Sequence, residues 1–117
     1  MLKKYLRLSK KKEFDLVFKK GKSTYSPFLL LKYADNGLPL SRFGIIVSNK
    51  VSKKATKRNL IKRRLREIIR LNQPKIKKGF DFVIIVSPKI INEKGKVLKS
   101  QEIEDGLLSL FKKMGAL

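Results

Sequence analysis

The sequence contains no cysteine, no histidine and no tryptophan, and only nine of its 117 residues are acidic. Without cysteine there can be no disulfides and no thiolate metal sites, and redox chemistry gives no hint of compartment. Without histidine there is no side chain whose unperturbed pKa lies near neutrality, and no imidazole ligand. The acids are scattered, except for Glu102, Glu104 and Asp105, which open an expected helix and serve its dipole. No triad, zinc box, phosphate loop or paired-carboxylate arrangement can be assembled, so neither catalytic residues nor metal ligands are expected in this chain. No apolar run approaches the roughly 18 residues needed to span a bilayer, and no lipidation motif is present. The opening MLKKYLRLSKKK lacks the apolar core and small-residue cleavage site of a secretory signal. The expectation is a cytoplasmic protein with no membrane partner and no small-molecule substrate.

What the chain has instead is positive charge. Thirty lysines and arginines give a formal net charge of +21, far beyond what solubility asks. Apolar residues still make up 42% of the chain, enough for a modest core and against a disordered basic tail. A length of 117 residues suits a single domain, 1–117. Such a field attracts phosphate backbones and drives salt-sensitive association by releasing counterions.

The charge is concentrated in KATKRNLIKRRLREIIR, Lys54 to Arg70, which with Lys50 and Lys53 holds ten of the thirty cations against one acid, Glu67. Its apolar residues keep a helical period. With Ile61 at the centre of an ideal wheel, Leu65, Ile68, Ile69 and, at the margin, Leu60 share its side. Asn59, Lys62, Arg63, Arg66 and Arg70 fall opposite. A solvated surface helix is the bland alternative, but with almost no acid four residues away to offset the cations, self-repulsion makes it costly. A packed helix with a guanidinium-rich outer face suits a polyanion.

Along the chain, Ser9 is placed to cap a helix running to about Lys20, with Phe14, Val17 and Phe18 as its apolar stripe and Gly21 as its stop. A short strand is expected at Lys22–Tyr25 and another at Phe28–Tyr33, where Phe28, Leu30 and Lys32 share one face and Leu29, Leu31 and Tyr33 the other. Asp35-Asn36-Gly37 signals a turn before a strand at Arg42–Ser48, and the two strands read as an antiparallel hairpin. A basic loop, Asn49–Lys54, leads into the helix from Ala55 to about Leu71, stopped by Pro74. A strand at Phe80–Val86 and a last helix, capped by Ser100 and reaching Lys113, complete the order αβββαβα. Its inner positions are Ile103, Leu107, Leu110 and Phe111. The class is α+β, a two-layer sandwich with a mixed sheet of about four strands.

Arg58-Asn59-Leu60-Ile61-Lys62-Arg63, continued by Leu65-Arg66-Glu67, resembles the signature of the bacterial ribonuclease P protein subunit, where a helix carries Arg-Asn-Arg followed by Lys-Arg and a further Arg. The likeness extends over nearly the whole chain: Phe14 and Phe18 followed by Lys19 and Gly21, Ile46-Val47-Ser48 then Lys50 before the basic helix, and the Phe80–Val86 strand after Lys78-Gly79. It departs at Leu60, where the family usually has arginine; Lys57, Arg64 or Lys53 would have to supply that contact. The resemblance implies a ribosomal protein S5 domain 2-like fold and a role in removing the 5′ leader of precursor tRNA. The chemistry would belong to an RNA subunit using Mg2+ bound mainly by that RNA. It implies two sets of residues. Lys50, Lys53, Lys54, Arg58, Asn59, Lys62, Arg63, Arg66 and Arg70 would face the ribonuclease P RNA. Phe14, Phe18, Leu31 and Tyr33 would line a cleft for the leader, on which unpaired bases stack with little sequence preference. For Asn59 the competing reading is a local side-chain hydrogen bond, and for the two phenylalanines it is ordinary core packing. A ribosomal or ribosome-assembly protein is the alternative function.

Overall fold

The computed structural model describes residues 2–117. After a 3-10 turn at Lys4–Leu6 come helix α1 (Lys11–Lys20), strands β1 (Lys22–Tyr25), β2 (Leu29–Asp35) and β3 (Arg42–Ile46), helix α2 (Ala55–Asn72), strand β4 (Phe80–Val86) and helix α3 (Ser100–Lys113). The sheet runs β1-β2-β4-β3 and is mixed, with β1 and β2 antiparallel, β2 and β4 antiparallel, and β3 and β4 parallel. The α+β class and the four strands are therefore as expected.

The hairpin of the second and third strands is not. β4 lies between them, because its run Phe-Asp-Phe-Val-Ile-Ile-Val is apolar on both faces and is satisfied only at the centre of a sheet covered on both sides. The connection from β3 to β4 is the basic helix itself, as a parallel pair requires.

α2 and α3 pack on one face through Ile61, Leu65, Ile68, Ile69, Ile103, Leu107, Leu110 and Phe111, all buried. They meet Leu29, Leu31, Phe43, Phe82, Ile84 and Val86 from the strands. Phe82 is at the middle of this core, stacked on Phe43 at 5.4 Å and meeting Phe111 edge-on at 5.0 Å. The helical periods of α2 and α3 thus bury the side that the wheel selects.

The layering goes one step further than a two-layer sandwich. α1 crosses the opposite face, where Val17 is buried against Val83 and Leu8. Neither serine caps its helix. The residue before α1 is Lys10, and the helix start is closed by Glu13, whose Oε1 accepts from the backbone of Lys10 at 3.0 Å and of Ser9 at 3.2 Å. Ser100 is already inside α3. Glu13 is needed more urgently than Ser9 because it also reaches the sheet. There Arg42 Nη1 donates to Glu13 while its Nε and Nη2 fork onto Asp81 at 2.9 and 2.8 Å. Asp81 is buried and takes a further bond from Asn36 Nδ2. This cluster pins the first turn of α1 to the ends of β3 and β4. No helix is long and apolar enough to cross a membrane among the described residues.

Candidate nucleic-acid interface

Direct pairing in the sheet fixes which residues share the α1 face. Ser23, Lys32, Val83 and Gly44 form one row across the four strands, and Tyr25, Leu30, Ile85 and Ile46 form the next. α1 covers the first row. Val17 sits over Val83, and Phe14 lies on Gly44, where an added Cβ would come within 2.5 Å of the ring. Phe18 projects beside Lys32, whose ammonium is 5.9 Å from the ring centroid. The second row is left partly open, with Leu30, Ile85 and Ile46 half-buried and Phe18 40% exposed along its side. The result is a groove with an apolar floor, a phenyl wall and a cation at its edge.

Two residues expected there lie elsewhere. Leu31 is fully buried on the α2/α3 face, and Tyr33 is on that same face, edge-on to Phe80 at 6.3 Å. The alternation of β2 separates the faces correctly, but the cleft belongs to the face of Leu30 and Lys32. Cation and aliphatic residues are the signal, since a strand face that alternates leucine with lysine borders solvent, whereas Leu29-x-Leu31 suits a core.

The cationic loop begins where β3 ends, beside Ile46. Val47 and Val51 are buried and anchor it, which leaves Lys50, Lys53 and Lys54 exposed. Arg58 is half-buried and braces the loop from α2, Nη1 donating to the Ser52 carbonyl at 2.8 Å. On the outer face of α2, Asn59 and Arg63 are exposed, and Lys62 and Arg66 are half-exposed. Among the described residues the Asn59 amide makes no hydrogen bond, so the local-bond alternative finds no support. Arg70 is committed to Glu67 through two bonds, which hold the Glu67 carboxyl below its ordinary range and the guanidinium above its own. Arg42 and Arg70 are the only cations paired with side-chain carboxylates among the described residues. The remainder of the patch is uncompensated.

Lys57 and Arg64, candidates to replace the missing arginine at Leu60, are turned inward. Lys57 Nζ donates to the Gly95 carbonyl and Arg64 Nη1 to that of Leu98 at 2.7 Å, tying the loop after β4 to α2. Leu60 is half-buried, at the margin where the wheel places it. Of the three candidates, only Lys53 has no such tie among the described residues.

Arg7 carries no sequence signal of its own. Its segment bridges to β3 beside Phe43, and its guanidinium is held by two bonds to the Leu2 carbonyl at 2.9 and 2.6 Å. With Arg66, Phe14 and Gly44 it lines a pocket of about 80 Å³ at the β3 edge, where the groove and the basic helix meet. Only tertiary structure brings Arg7 and Arg66 together, and no local pattern announces it. A larger hollow of about 460 Å³ between α2 and α3 mixes Arg63 and Arg64 with Glu67 and Glu104, a charge balance less suited to a polyanion.

Residues 2–115 match the family model described as Ribonuclease P. The Ribonuclease P protein component of Thermotoga maritima is 41% identical over 92% of this chain and 91% of its own length. That of a Synechocystis species is 49% identical over 75% of this chain and 72% of its own. The structure of the Thermotoga maritima RNase P protein in complex with 1-(4-fluorophenyl)-2-thiourea superposes with a TM-score of 0.83 at 40% identity. That match covers 92% of this chain and 98% of the other.

Proposed function

The chain belongs to the bacterial ribonuclease P protein family, and from that premise we propose how its two RNA-facing surfaces divide the work. As a subunit of ribonuclease P it is an RNA-binding protein that serves tRNA 5′ maturation. A ribosomal or ribosome-assembly role, the alternative that composition leaves open, gives way to this membership.

We propose that the outer face of α2 and its preceding loop bind the ribonuclease P RNA. Arg63, Arg66, Lys62, Lys50, Lys53 and Lys54 would grip phosphates, and Asn59 would donate to a sugar or base. Arg58 would serve chiefly by holding the loop in place, and Arg70 would contribute less because Glu67 already neutralises it. The groove beside α1 would take the leader of precursor tRNA. Phe14 and Phe18 would offer rings for stacking, Lys32 a charge for the backbone, and Leu30, Ile85 and Ile46 a floor without hydrogen-bonding demands. Such a track tolerates any base, as a processor of many leaders needs.

Magnesium, when bound, would stabilise the attacking and leaving oxygens of the phosphodiester. Among the described residues no group of three or more carboxylates is placed to hold a metal. We propose that the ion's seat is mainly RNA phosphate, since folded RNA can hold metal ions beside a scissile phosphate. The protein's part is to screen repulsion between two polyanions and to hold the leader extended. Cytoplasmic residence is proposed because precursor tRNA is the proposed substrate.

The observation that carries this reading is the juxtaposition of an uncompensated cationic helix with a half-open aromatic groove at one sheet edge. Its test is reconstitution with a bacterial ribonuclease P RNA at low magnesium. Precursor cleavage is expected to rise on adding the protein, and no stimulation would overturn the proposal.

A further inference from the structure

We propose that Tyr25, on edge strand β1, provides a further stacking site for an unpaired nucleotide, lengthening the groove across the whole sheet. The inference rests on reading the α1 groove as the seat of the leader. Tyr25 pairs with Leu30, Leu30 with Ile85, and Ile85 with Ile46, so all four belong to the row that α1 leaves open. Three inter-strand steps of about 4.8 Å make this row about 14 Å long. It starts beside the cationic loop at Ile46 and ends at Tyr25, so a strand of RNA leaving the basic helix would cross β4 and β2 and reach the tyrosine last.

Tyr25 is 73% exposed, the most of any large hydrophobic side chain among the described residues, and no aromatic or cation–π partner holds its ring there. Its neighbour Thr24 pairs with the buried Leu31 and faces the core, as alternation requires. Towards α3, the Tyr25 carbonyl accepts from Lys113 Nζ at 3.4 Å, and the residue borders a shallow hollow with Phe28, Gly106 and Ser109. It stands at the end of an apolar track bordered on the same face by Lys32. A ring in that position offers a face to any base, with affinity gained only when the strand is long enough to arrive.

The test uses the holoenzyme assembled with a bacterial ribonuclease P RNA and precursor tRNAs whose leaders lengthen one nucleotide at a time. Tyr25→Ala is expected to weaken binding roughly five-fold or more beyond a threshold leader length, with no effect on shorter leaders or on mature tRNA. Tyr25→Phe should restore it. Phe18→Ala serves as the companion and should weaken binding of shorter leaders as well. If Phe18→Ala discriminates precursor from mature tRNA while Tyr25→Ala is silent at every length, the inference is overturned and the groove reading stands. If both variants are silent, the groove reading falls and takes Tyr25 with it. A loss equal for precursor and mature tRNA on Tyr25→Ala also overturns the inference.

Discussion

The outer edge of the Phe14 ring presses on the bare backbone of Gly44, so close that even a methyl group at position 44 would sit 2.5 Å from it. Gly44 is in mid-strand, where glycine otherwise weakens a sheet; its use is to let α1 approach β3. Gly44→Ala must displace Phe14 or tilt α1. The expected cost is about 1–3 kcal/mol of stability by overpacking, measured by denaturant titration, together with weaker precursor tRNA binding. A variant as stable as the parent that also binds precursor normally would show that this approach is dispensable.

Phe18→Ala removes a ring that is 40% exposed and outside the buried core, so the melting temperature should fall less than for a fully buried phenylalanine. Binding of precursor tRNA should fall by about 1–3 kcal/mol while mature tRNA is bound as before. Equal loss for both RNAs, with a marked drop in melting temperature, would assign the ring to the core instead.

Arg63→Ala and Arg66→Ala should each weaken binding of the RNA subunit and flatten the plot of log affinity against log salt, by roughly 0.7–0.9 for each phosphate no longer neutralised. Arg70→Ala should flatten it less, because Glu67 already occupies that guanidinium. Affinity measured across a salt series separates these cases, and an unchanged slope for Arg63 or Arg66 would remove that residue from the interface.

Arg42→Ala strands the Asp81 carboxylate, whose side chain is 5% exposed and whose remaining side-chain partner is Asn36. A buried charge left in this way costs about 3–5 kcal/mol, readable by thermal or chemical denaturation. Asp81→Asn, which keeps volume and removes the charge, should cost less.

Glu13 gives the pH dependence. Its pKa is lowered first by the Lys10 amide, then helped by Ser9 and Arg42, against some desolvation. A carboxyl with a depressed folded pKa contributes stability that is complete above its ordinary value of 4.5 and drains away as pH falls through the folded value. Glu13→Gln should therefore lower the melting temperature at neutral pH, with the difference from the parent narrowing in acid. Parallel curves from neutral pH down to acid would exclude this linkage.

Much of this was legible in sequence because it depends on local periodicity. The buried stripes of α2 and α3 repeat every three to four residues, and the observed cores contain the positions so selected. β4 is an apolar, β-branched run bounded by Gly79 and Pro88, and β1 lies between Gly21 and Pro27. What escaped depends on which elements become neighbours. The Asp35-Asn36-Gly37 turn invites a hairpin, yet the two-faced apolarity of β4 takes the place beside β2. Alternation in β2 separates Leu31 from Lys32, and it is the lysine, not the aromatic Tyr33, that marks the face bordering α1 and solvent. Ser9 has the chemistry of a cap; Glu13 has the reach, since it must also meet Arg42 from another strand. Arg58, Lys57 and Arg64 look like equal members of a cationic run until the Ser52, Gly95 and Leu98 carbonyls claim them.

β4 is bonded to β2 on one side and β3 on the other, and the polypeptide leaving β3 becomes the basic helix before returning as β4. On the proposed reading, the grip on the ribozyme and the channel for the transcript are therefore mounted on the same rigid plank. Their separation is set by the breadth of a strand and the depth of one helical layer, whatever letters the transcript carries. The subunit would act as a gauge block for the cleavage site, contributing to accuracy a length that does not vary from one gene's product to the next.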